Sequence, residues 1–181
     1  RVHSPVERMT VVADARALVE PLIESARALS LGLRPSMLDD FGLAPALAWL
    51  SRDFQRRADL DVRLTMAGPM AALSDAQRTC IYRVVQEALT NCARHASAGR
   101  VDVAVKVEGP SVLVTVTDDG RGVVPARPST GLGLVGIAER ARELGGTFEI
   151  APGPSAGTML TVRLPMRPAT AEEELHAAVA G

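Results

Sequence analysis

Apolar residues in the first part of the chain recur at steps of three and four, the spacing of amphipathic helices. One such segment covers residues 6–34. We expect this helix to end before Pro35, because proline disfavours helical geometry in the residue that precedes it. Residues 36–42 contain serine, aspartate and glycine and are predicted to form a turn or cap in front of a second helix, Leu43–Arg57.

The middle of the chain changes from helical spacing to strict alternation and back. Residues 61–67 alternate apolar and polar side chains, which predicts a strand. Ser74 is placed to cap a long helix from Asp75 to about Ala96, whose apolar stripe repeats every four residues. Residues 101–107 and 112–116 carry valine at every second position on either side of the turn "EGPS", which predicts a β-hairpin.

A further helix is predicted from about Leu134 to Leu144, followed by strands at 147–151 and 158–165. The predicted order is two helices, a strand, a helix, two strands, a helix and two strands. This order indicates an α/β fold, a layered sandwich in which a largely antiparallel sheet carries helices on one face.

The composition excludes several classes of protein. Hydrophobic residues make up 47% of the chain and charged residues 23%, and no stretch approaches the roughly 18 continuous apolar residues of a membrane span. A formal charge of −1 and 3% aromatic residues argue against nucleic-acid binding. The sequence opens with Arg1 and shows no signal peptide, so we expect an excised fragment that is cytoplasmic, or the cytoplasmic part of a membrane-bound sensor.

Cys80 and Cys92 are the two cysteines, and both fall on the predicted long helix. At the rise of an α-helix they lie about 18 Å apart, which is beyond the reach of a disulfide. We therefore expect two free thiols packed as small core residues, in a reducing compartment.

Asp118 ends the hairpin in phase with the inward valines of its strand, so its carboxylate is expected on the core side of the sheet. A buried carboxylate needs a partner. Either a ligand supplies an N–H donor or the aspartate binds backbone amides of its own turn, and the sequence leaves both possibilities open. Gly120 and Gly122 follow it, and they allow the backbone to approach a flat ligand closely or to adopt positive φ.

The segment "GLGLVG", residues 131–136, fits the pattern G-x-G-x-x-G. A dinucleotide-binding turn requires a strand that runs directly into it, and Pro125 and Pro128 argue against such a strand. A P-loop is excluded because no Gly-Lys-Ser/Thr closes the cluster. Two interpretations stay open: a helix N-terminus that binds an anion such as a polyphosphate, and a glycine hinge at an ordinary helix start.

Glu87 and Asn91 lie one turn apart on the long helix, with Arg94 and His95 one turn further on. Two oxygen-bearing side chains at this spacing suit Mg²⁺, which combines few protein oxygens with water and substrate phosphates. The other interpretation is a solvated helix face with pairing between glutamate and arginine.

Four segments stand in a fixed order, "YRVVQEALTNCARHA", "VTVTDDGRGV", "GLGLVGIAERARELGGTFEI" and "GTMLTVRLP". They resemble the N box, the two glycine boxes and the closing threonine strand of the ATP-binding domain of sensor histidine kinases. Together they resemble the GHKL ATPase superfamily with its Bergerat fold, and the finer pattern resembles the NarL-type kinases. The segment "LSLGLRPSMLDDFGLAPALAWLSRDF" is similar to the region after the phosphoacceptor helix of those kinases.

The resemblance implies a division of the chain into three parts. Residues 1–58 would be the C-terminal part of a helical dimerisation region with its linker, and residues 59–166 the ATP-binding catalytic domain. Residues 167–181 would be a tail. The expected fold of the catalytic part is the Bergerat fold, a two-layer α+β sandwich.

The resemblance also implies how the base of ATP is recognised. Asp118 would accept a hydrogen bond from the adenine amino group, with Thr158 nearby. The backbone at Gly120 and Gly122 would pass close to the base.

For the rest of the nucleotide, the resemblance implies that Asn91 holds Mg²⁺ and that Glu87 assists the metal or its water. Residues 123–130 would form a short mobile lid, and His95 would lie near the nucleotide. The phosphates would bind the N-terminal end of the fourth predicted helix, at Gly131, Leu132, Gly133 and Leu134.

The phosphoacceptor is where this sequence departs from the family. Family members carry a histidine followed by Asp or Glu on a helix, and none of His3, His95 and His176 has that context. We therefore expect the acceptor helix to precede this fragment. The resemblance implies an ATP-dependent histidine kinase that is a homodimer at full length and relays phosphate to a response regulator.

Two alternatives keep the fold but change the activity: a serine kinase of the anti-sigma-factor type, and an ATPase that drives a conformational change. The segment "LRPSMLDDFGL" favours the two-component kinase, because the alternatives do not require a dimerisation helix at that place. A degenerate domain that only binds a partner is disfavoured because Asn91, Asp118, Gly120 and Gly133 are all present.

Overall fold

One mixed sheet with helices packed on it forms the described part of the molecule. The computed structural model describes residues 36–96, 98–122, 132–154 and 157–166, all within the unit Pro35–Gly181. The helix predicted over residues 6–34 and the tail predicted over residues 167–181 lie outside the described residues.

The elements follow the predicted order, with one additional helix. They are α1 (Ser36–Phe41), α2 (Leu43–Ala58), β1 (Asp61–Ala67), α3 (Asp75–Asn91), β2 (Arg100–Glu108), β3 (Ser111–Asp118), α4 (Leu132–Glu143), β4 (Thr147–Pro152) and β5 (Thr158–Pro165). A single 3₁₀ turn, Met70–Ala72, precedes α3, and a π-helix, Cys92–Ala96, continues it.

The five strands lie in the order β1-β2-β3-β5-β4. β1 and β2 are parallel, and the other three pairings are antiparallel. In the central ladder Val103 lies opposite Val116, and Val114 lies opposite Val162. The predicted α/β sandwich with a mostly antiparallel sheet is therefore confirmed.

One face of the sheet is buried and the other is partly exposed. The inward side chains of β2, β3 and β5 are almost all branched aliphatic residues, and they are fully or nearly fully buried: Val101, Val103, Val105, Val112, Val114, Val116, Leu160, Val162 and Leu164. Helices contribute Leu47, Ile81, Leu89 and Ala141 to the same core. Because side chains alternate along β3, Asp118 shares the buried face with the valines.

Helix α2 packs into this same core, since Leu47 and Leu50 belong to one hydrophobic cluster with Ile81 of α3. The resemblance implies that residues 1–58, which include α2, precede the ATP-binding domain. That boundary stays a prediction.

The structure corrects three local expectations. Residues 36–41 form a short helix rather than a turn, because Leu38 is buried in the core. The long helix changes to π geometry at Cys92, and Ala76 at its other end is exposed rather than part of the apolar stripe. Helix α4 begins at Leu132, slightly before the predicted start.

The N-terminus of α3 is fixed by a capping box, as Ser74 predicts. Ser74 Oγ accepts from the N–H of Gln77, and Gln77 Oε1 accepts from the N–H of Ser74. Gln77 Nε2 also donates to the carbonyl of Pro165 at 2.8 Å. The start of α3 is thereby bound to the end of β5.

Candidate nucleotide-binding site

The carboxylate of Asp118 lies at the end of β3, and its residue is 7% exposed. Its Oδ1 accepts from the N–H of Gly120 at 2.9 Å, and its Oδ2 lies 3.8 Å from Cys92 Sγ. One oxygen therefore accepts from a backbone amide of the aspartate's own turn, which is the second of the two interpretations that the sequence left open. Among the described residues, the hydrogen bond to the second oxygen comes from a weak thiol donor, so this oxygen keeps acceptor capacity for a ligand.

Two glycines pack their backbone around this carboxylate. Gly157 has φ 72°, and an added Cβ there would lie 2.6 Å from Asp118 Oδ1. Gly122 has φ 74°, and an added Cβ there would lie 2.9 Å from the carbonyl oxygen of Gly157. Because Thr117 pairs with Met159, Thr158 stands opposite Asp118 at the next position of the ladder. Asp118, Gly122, Gly157 and Thr158 thus form one corner at the end of the sheet.

The π-helix Cys92–Ala96 reaches the same corner from the helical layer. The carbonyl of Ala96 accepts from the N–H of Arg121 at 2.9 Å. Ala96 also leaves no room for a side chain at position 120, since an added Cβ on Gly120 would lie 2.7 Å from Ala96 Cβ and closer still to its carbonyl oxygen. Glycine is therefore needed at position 120 for packing against the end of the long helix, and the close approach of its backbone to a ligand stays a prediction.

Asp119 binds the loop that connects the π-helix to β2. Its Oδ1 accepts from the N–H groups of Gly99 and Arg100, at 2.8 and 2.9 Å. The hydrogen bond from Arg100 is the largest cause that lowers the pKa of the Asp119 carboxyl below its usual value. This carboxylate therefore stays ionised at neutral pH and holds residues 99–100 against the end of β3.

Glu87 and Asn91 lie one turn apart near the end of α3, and both are partly buried. The carboxylate of Glu87 lies directly against Gly133 in the first turn of α4, where an added Cβ would overlap Glu87 Oε1. A negative charge at a helix N-terminus is favoured by the free N–H groups and the helix dipole. The predicted metal ligand and the predicted phosphate-binding helix end are thus neighbours.

Some predicted site residues lie outside the described residues, namely Gly131 and the lid at 123–130, as do His3 and His176. For His95 and Leu132 the structure describes the backbone, which belongs to the π-helix and to the first turn of α4. Leu134 is partly buried against the hydrophobic core. The functional roles of all these residues stay predictions.

In the described ranges, no group of three or more His, Cys, Asp or Glu side chains is arranged to hold a metal ion. Glu87 and Asn91 alone would offer two oxygen-bearing side chains. A Mg²⁺ ion held there would need oxygens from a ligand and from water, which is its usual mode with phosphates.

Sequence reasoning missed two residues that touch Asp118. Gly157 opens the quoted segment "GTMLTVRLP" but was given no role at the site, although a glycine immediately before Thr158 is a signal for close backbone approach. Cys92 was assigned only to the apolar stripe of the long helix. No sequence signal points to its contact with Asp118, because that contact depends on how the helix end meets the sheet.

We predict opposite effects of adding one methyl group at two glycines. Gly120→Ala should lower the free energy of unfolding by about 1–3 kcal/mol, because the new Cβ meets the backbone and side chain of Ala96. Gly136→Ala is the control, because nothing lies within 4 Å of its added Cβ, and it should stabilise α4 by up to about 1 kcal/mol. Urea unfolding measures both, and equal effects of the two substitutions would contradict the observed packing.

Comparison with known proteins agrees with this geometry. Residues 76–168 match the family described as "Histidine kinase-, DNA gyrase B-, and HSP90-like ATPase". The chain is 36% identical over 165 residues to the signal transduction histidine-protein kinase/phosphatase UhpB of Salmonella typhimurium, with 86% of this chain and 32% of that protein covered. It is 34% identical over 153 residues to the oxygen sensor histidine kinase NreB of Staphylococcus carnosus, covering 82% of this chain and 44% of that protein.

Among solved structures, the ATP binding domain of PrrB from Mycobacterium tuberculosis matches with a TM-score of 0.53 and 27% identity. The match covers 68% of this chain and 93% of that structure. The chain spans less than half the length of the two curated relatives, so it corresponds to one part of such proteins. The chain belongs to the histidine kinase-, DNA gyrase B- and HSP90-like ATPase family, and the resemblance to NarL-type sensor histidine kinases that its four motifs predicted is confirmed.

Proposed function

We propose that the site binds ATP with Mg²⁺ and orients its γ-phosphoryl group for transfer to a histidine of the whole kinase. The observation that carries this proposal is the position of two features beside the C-terminal end of α3. One is the buried carboxylate of Asp118, and the other is the start of α4, where Glu87 meets Gly133. An adenine base and a polyphosphate suit these two features respectively.

The base would be recognised at the Asp118 corner. A carboxylate is acceptor-only when ionised, so it suits the exocyclic amino group of adenine, which is a donor. Gly120, Gly122 and Gly157 pack their backbone closely against neighbouring protein atoms at this corner, and a flat ring would lie against that backbone. Thr158, opposite Asp118 in the ladder, is placed to add a hydroxyl beside the base.

The phosphates would bind at the N-terminal end of α4, at residues 131–134. Asn91 would coordinate Mg²⁺, and Glu87 would leave Gly133 to assist the metal or its water. Mg²⁺ supplies charge neutralisation at the phosphates when it is bound. His95 would lie near the nucleotide, and residues 123–130 would cover it as a lid.

This division of roles suits phosphoryl transfer, which depends on positioning and charge stabilisation more than on covalent chemistry of the protein. We propose that the accepting histidine belongs to a helical dimerisation region, of which residues 1–58 are the C-terminal part. The full-length kinase would act as a homodimer and pass the phosphoryl group to a response regulator. None of the helices in the described ranges is long and apolar enough to cross a bilayer. We propose a cytoplasmic location for the catalytic part because ATP is available there.

ATP binding can be tested at Asp118. We predict that calorimetry detects ATP binding by the unmutated chain and that Asp118→Asn weakens it at least about tenfold, since a hydrogen bond to a charged group is lost. Asp102→Asn is the control, because Asp102 points to the partly exposed face of the sheet and pairs with Arg100. Undetectable binding by the unmutated chain at millimolar ATP, or equal binding by both variants, would contradict the assignment.

The metal assignment is tested by repeating the titrations with and without Mg²⁺. We predict that Asn91→Ala weakens ATP binding by about tenfold or more in Mg²⁺ and has little effect when a chelator removes the metal. The loss of a group that only supports a metal ligand already lowers metal affinity by about tenfold or more. Thr90→Ala is the matched control, because the Thr90 hydroxyl bonds the carbonyl of Gln86 within α3. The same loss in both media would show that Asn91 contacts the nucleotide or the fold rather than the metal.

The kinase activity distinguishes the proposal from the two alternative activities. We predict that this chain, mixed with ATP and a full-length kinase whose own ATP site carries the equivalent of Asp118→Asn, places acid-labile phosphate on the partner's histidine. A serine kinase would instead give acid-stable phosphate on a protein substrate. An ATPase of the conformational type would release inorganic phosphate without labelling protein.

A further inference from the structure

Cys92 is the first residue of the π-helix, and its side chain reaches Asp118 from the helical layer. Its Sγ lies 3.8 Å from Asp118 Oδ2, and the two residues are 6% and 7% exposed. The contact joins positions that are 26 residues apart in sequence. It connects the end of α3, where Asn91 lies, with the end of β3.

The chemical state of the thiol fixes the direction of this contact. A cysteine thiol has an ordinary pKa of about 8.5, so the sulfur keeps its proton at neutral pH. An ionised carboxylate can only accept, so the S–H group donates to Oδ2.

The two oxygens of Asp118 are then held from two sides. Gly120 N–H donates to Oδ1 at 2.9 Å, and Cys92 S–H donates to Oδ2. Each oxygen has a further lone pair, so neither bond exhausts the acceptor capacity of the carboxylate. Two donors on different oxygens restrict rotation about the last side-chain torsion, which is otherwise broad for aspartate.

We propose that Cys92 is a positioning residue of the nucleotide site: its S–H group orients the Asp118 carboxylate for the base. The inference rests on the proposed ATP-binding function. Cys92 acts through Asp118 and does not itself touch the ligand. A residue that only fills the core would not need to donate a hydrogen bond to Asp118. A positioning role and a core-filling role of Cys92 can therefore be distinguished by measurement.

The first test is the infrared S–H stretching band, which reports the hydrogen bonding of each thiol without added nucleotide. Cys80 is the internal control, because it is also buried on α3 but lies near Arg140 and Glu143 instead of Asp118. Cys92→Ala and Cys80→Ala assign the two bands. Asp118→Asn is expected to shift the Cys92 band and to leave the Cys80 band in place. A Cys92 band that does not respond to Asp118→Asn would overturn the proposal.

The second test separates recognition of the base from recognition of the phosphates. Cys92→Ala is expected to weaken ATP binding by about two- to tenfold, the net effect of one modest hydrogen bond, and to leave the affinity for inorganic tripolyphosphate unchanged. Cys80→Ala creates a comparable small cavity in the same helix and is expected to leave both affinities unchanged. Cys92→Val keeps the site filled and removes the donor, so it should behave like Cys92→Ala.

The outcomes are distinguishable. Normal ATP binding by both Cys92→Ala and Cys92→Val would overturn the positioning role, as would an equal loss for ATP and tripolyphosphate. If the unmutated chain bound no ATP, the proposed function would fail, and the positioning role would fail with it. The infrared comparison uses no nucleotide, so it would still decide whether the Cys92–Asp118 hydrogen bond exists.

Discussion

The carboxylate of Asp118 occupies a position that its strand otherwise gives to valine, and the architecture of the site depends on how that buried charge is accommodated. An isolated ionised group in this place would be strongly destabilising. The protein supplies one amide donor from Gly120 and one weak thiol donor from Cys92. This is enough to keep the charge in the folded chain, and it leaves acceptor capacity that a purine amino group can use.

Close backbone packing provides the second constraint. Gly120 lies on Ala96, Gly157 lies on Asp118, and Gly133 lies on the carboxylate of Glu87. The first and third contacts join the end of α3 and its π-helix to segments that are distant in sequence, and the second joins the end of β3 to the start of β5. The first two are backbone contacts and therefore rigid, whereas Glu87 is the end of a flexible side chain and can move when a ligand binds. The corner proposed for the base is thus preorganised, while the helix end proposed for the phosphates can rearrange.

Much of this arrangement could be predicted from the sequence, because it follows local rules. Valine alternation gives the hairpin register and puts Asp118 on the buried face, and Ser74 with Gln77 marks the start of α3. The order of the motifs then indicates the family. Their individual roles do not follow from order alone, since each motif has an ordinary structural interpretation when it is taken separately.

The features that could not be predicted depend on contacts between distant segments. The short helix α1 forms because Leu38 is buried against the core, which the turn-forming residues around it do not reveal. The π geometry at Cys92 and the contact of its sulfur with Asp118 arise where a helix end meets a strand end. Gly157 is required by the proximity of β5 to β3, which is a property of the sheet order.

We propose that the buried carboxylate of Asp118 accepts a hydrogen bond from the amino group of the base. Changing the ligand instead of the protein tests this directly. ATP and inosine triphosphate have the same triphosphate and ribose, but inosine carries a carbonyl oxygen where adenine carries its amino group. We predict that the unmutated chain binds inosine triphosphate at least about tenfold more weakly than ATP, because the Asp118 carboxylate and the carbonyl oxygen of inosine are both acceptors. Equal affinity for the two nucleotides would contradict it.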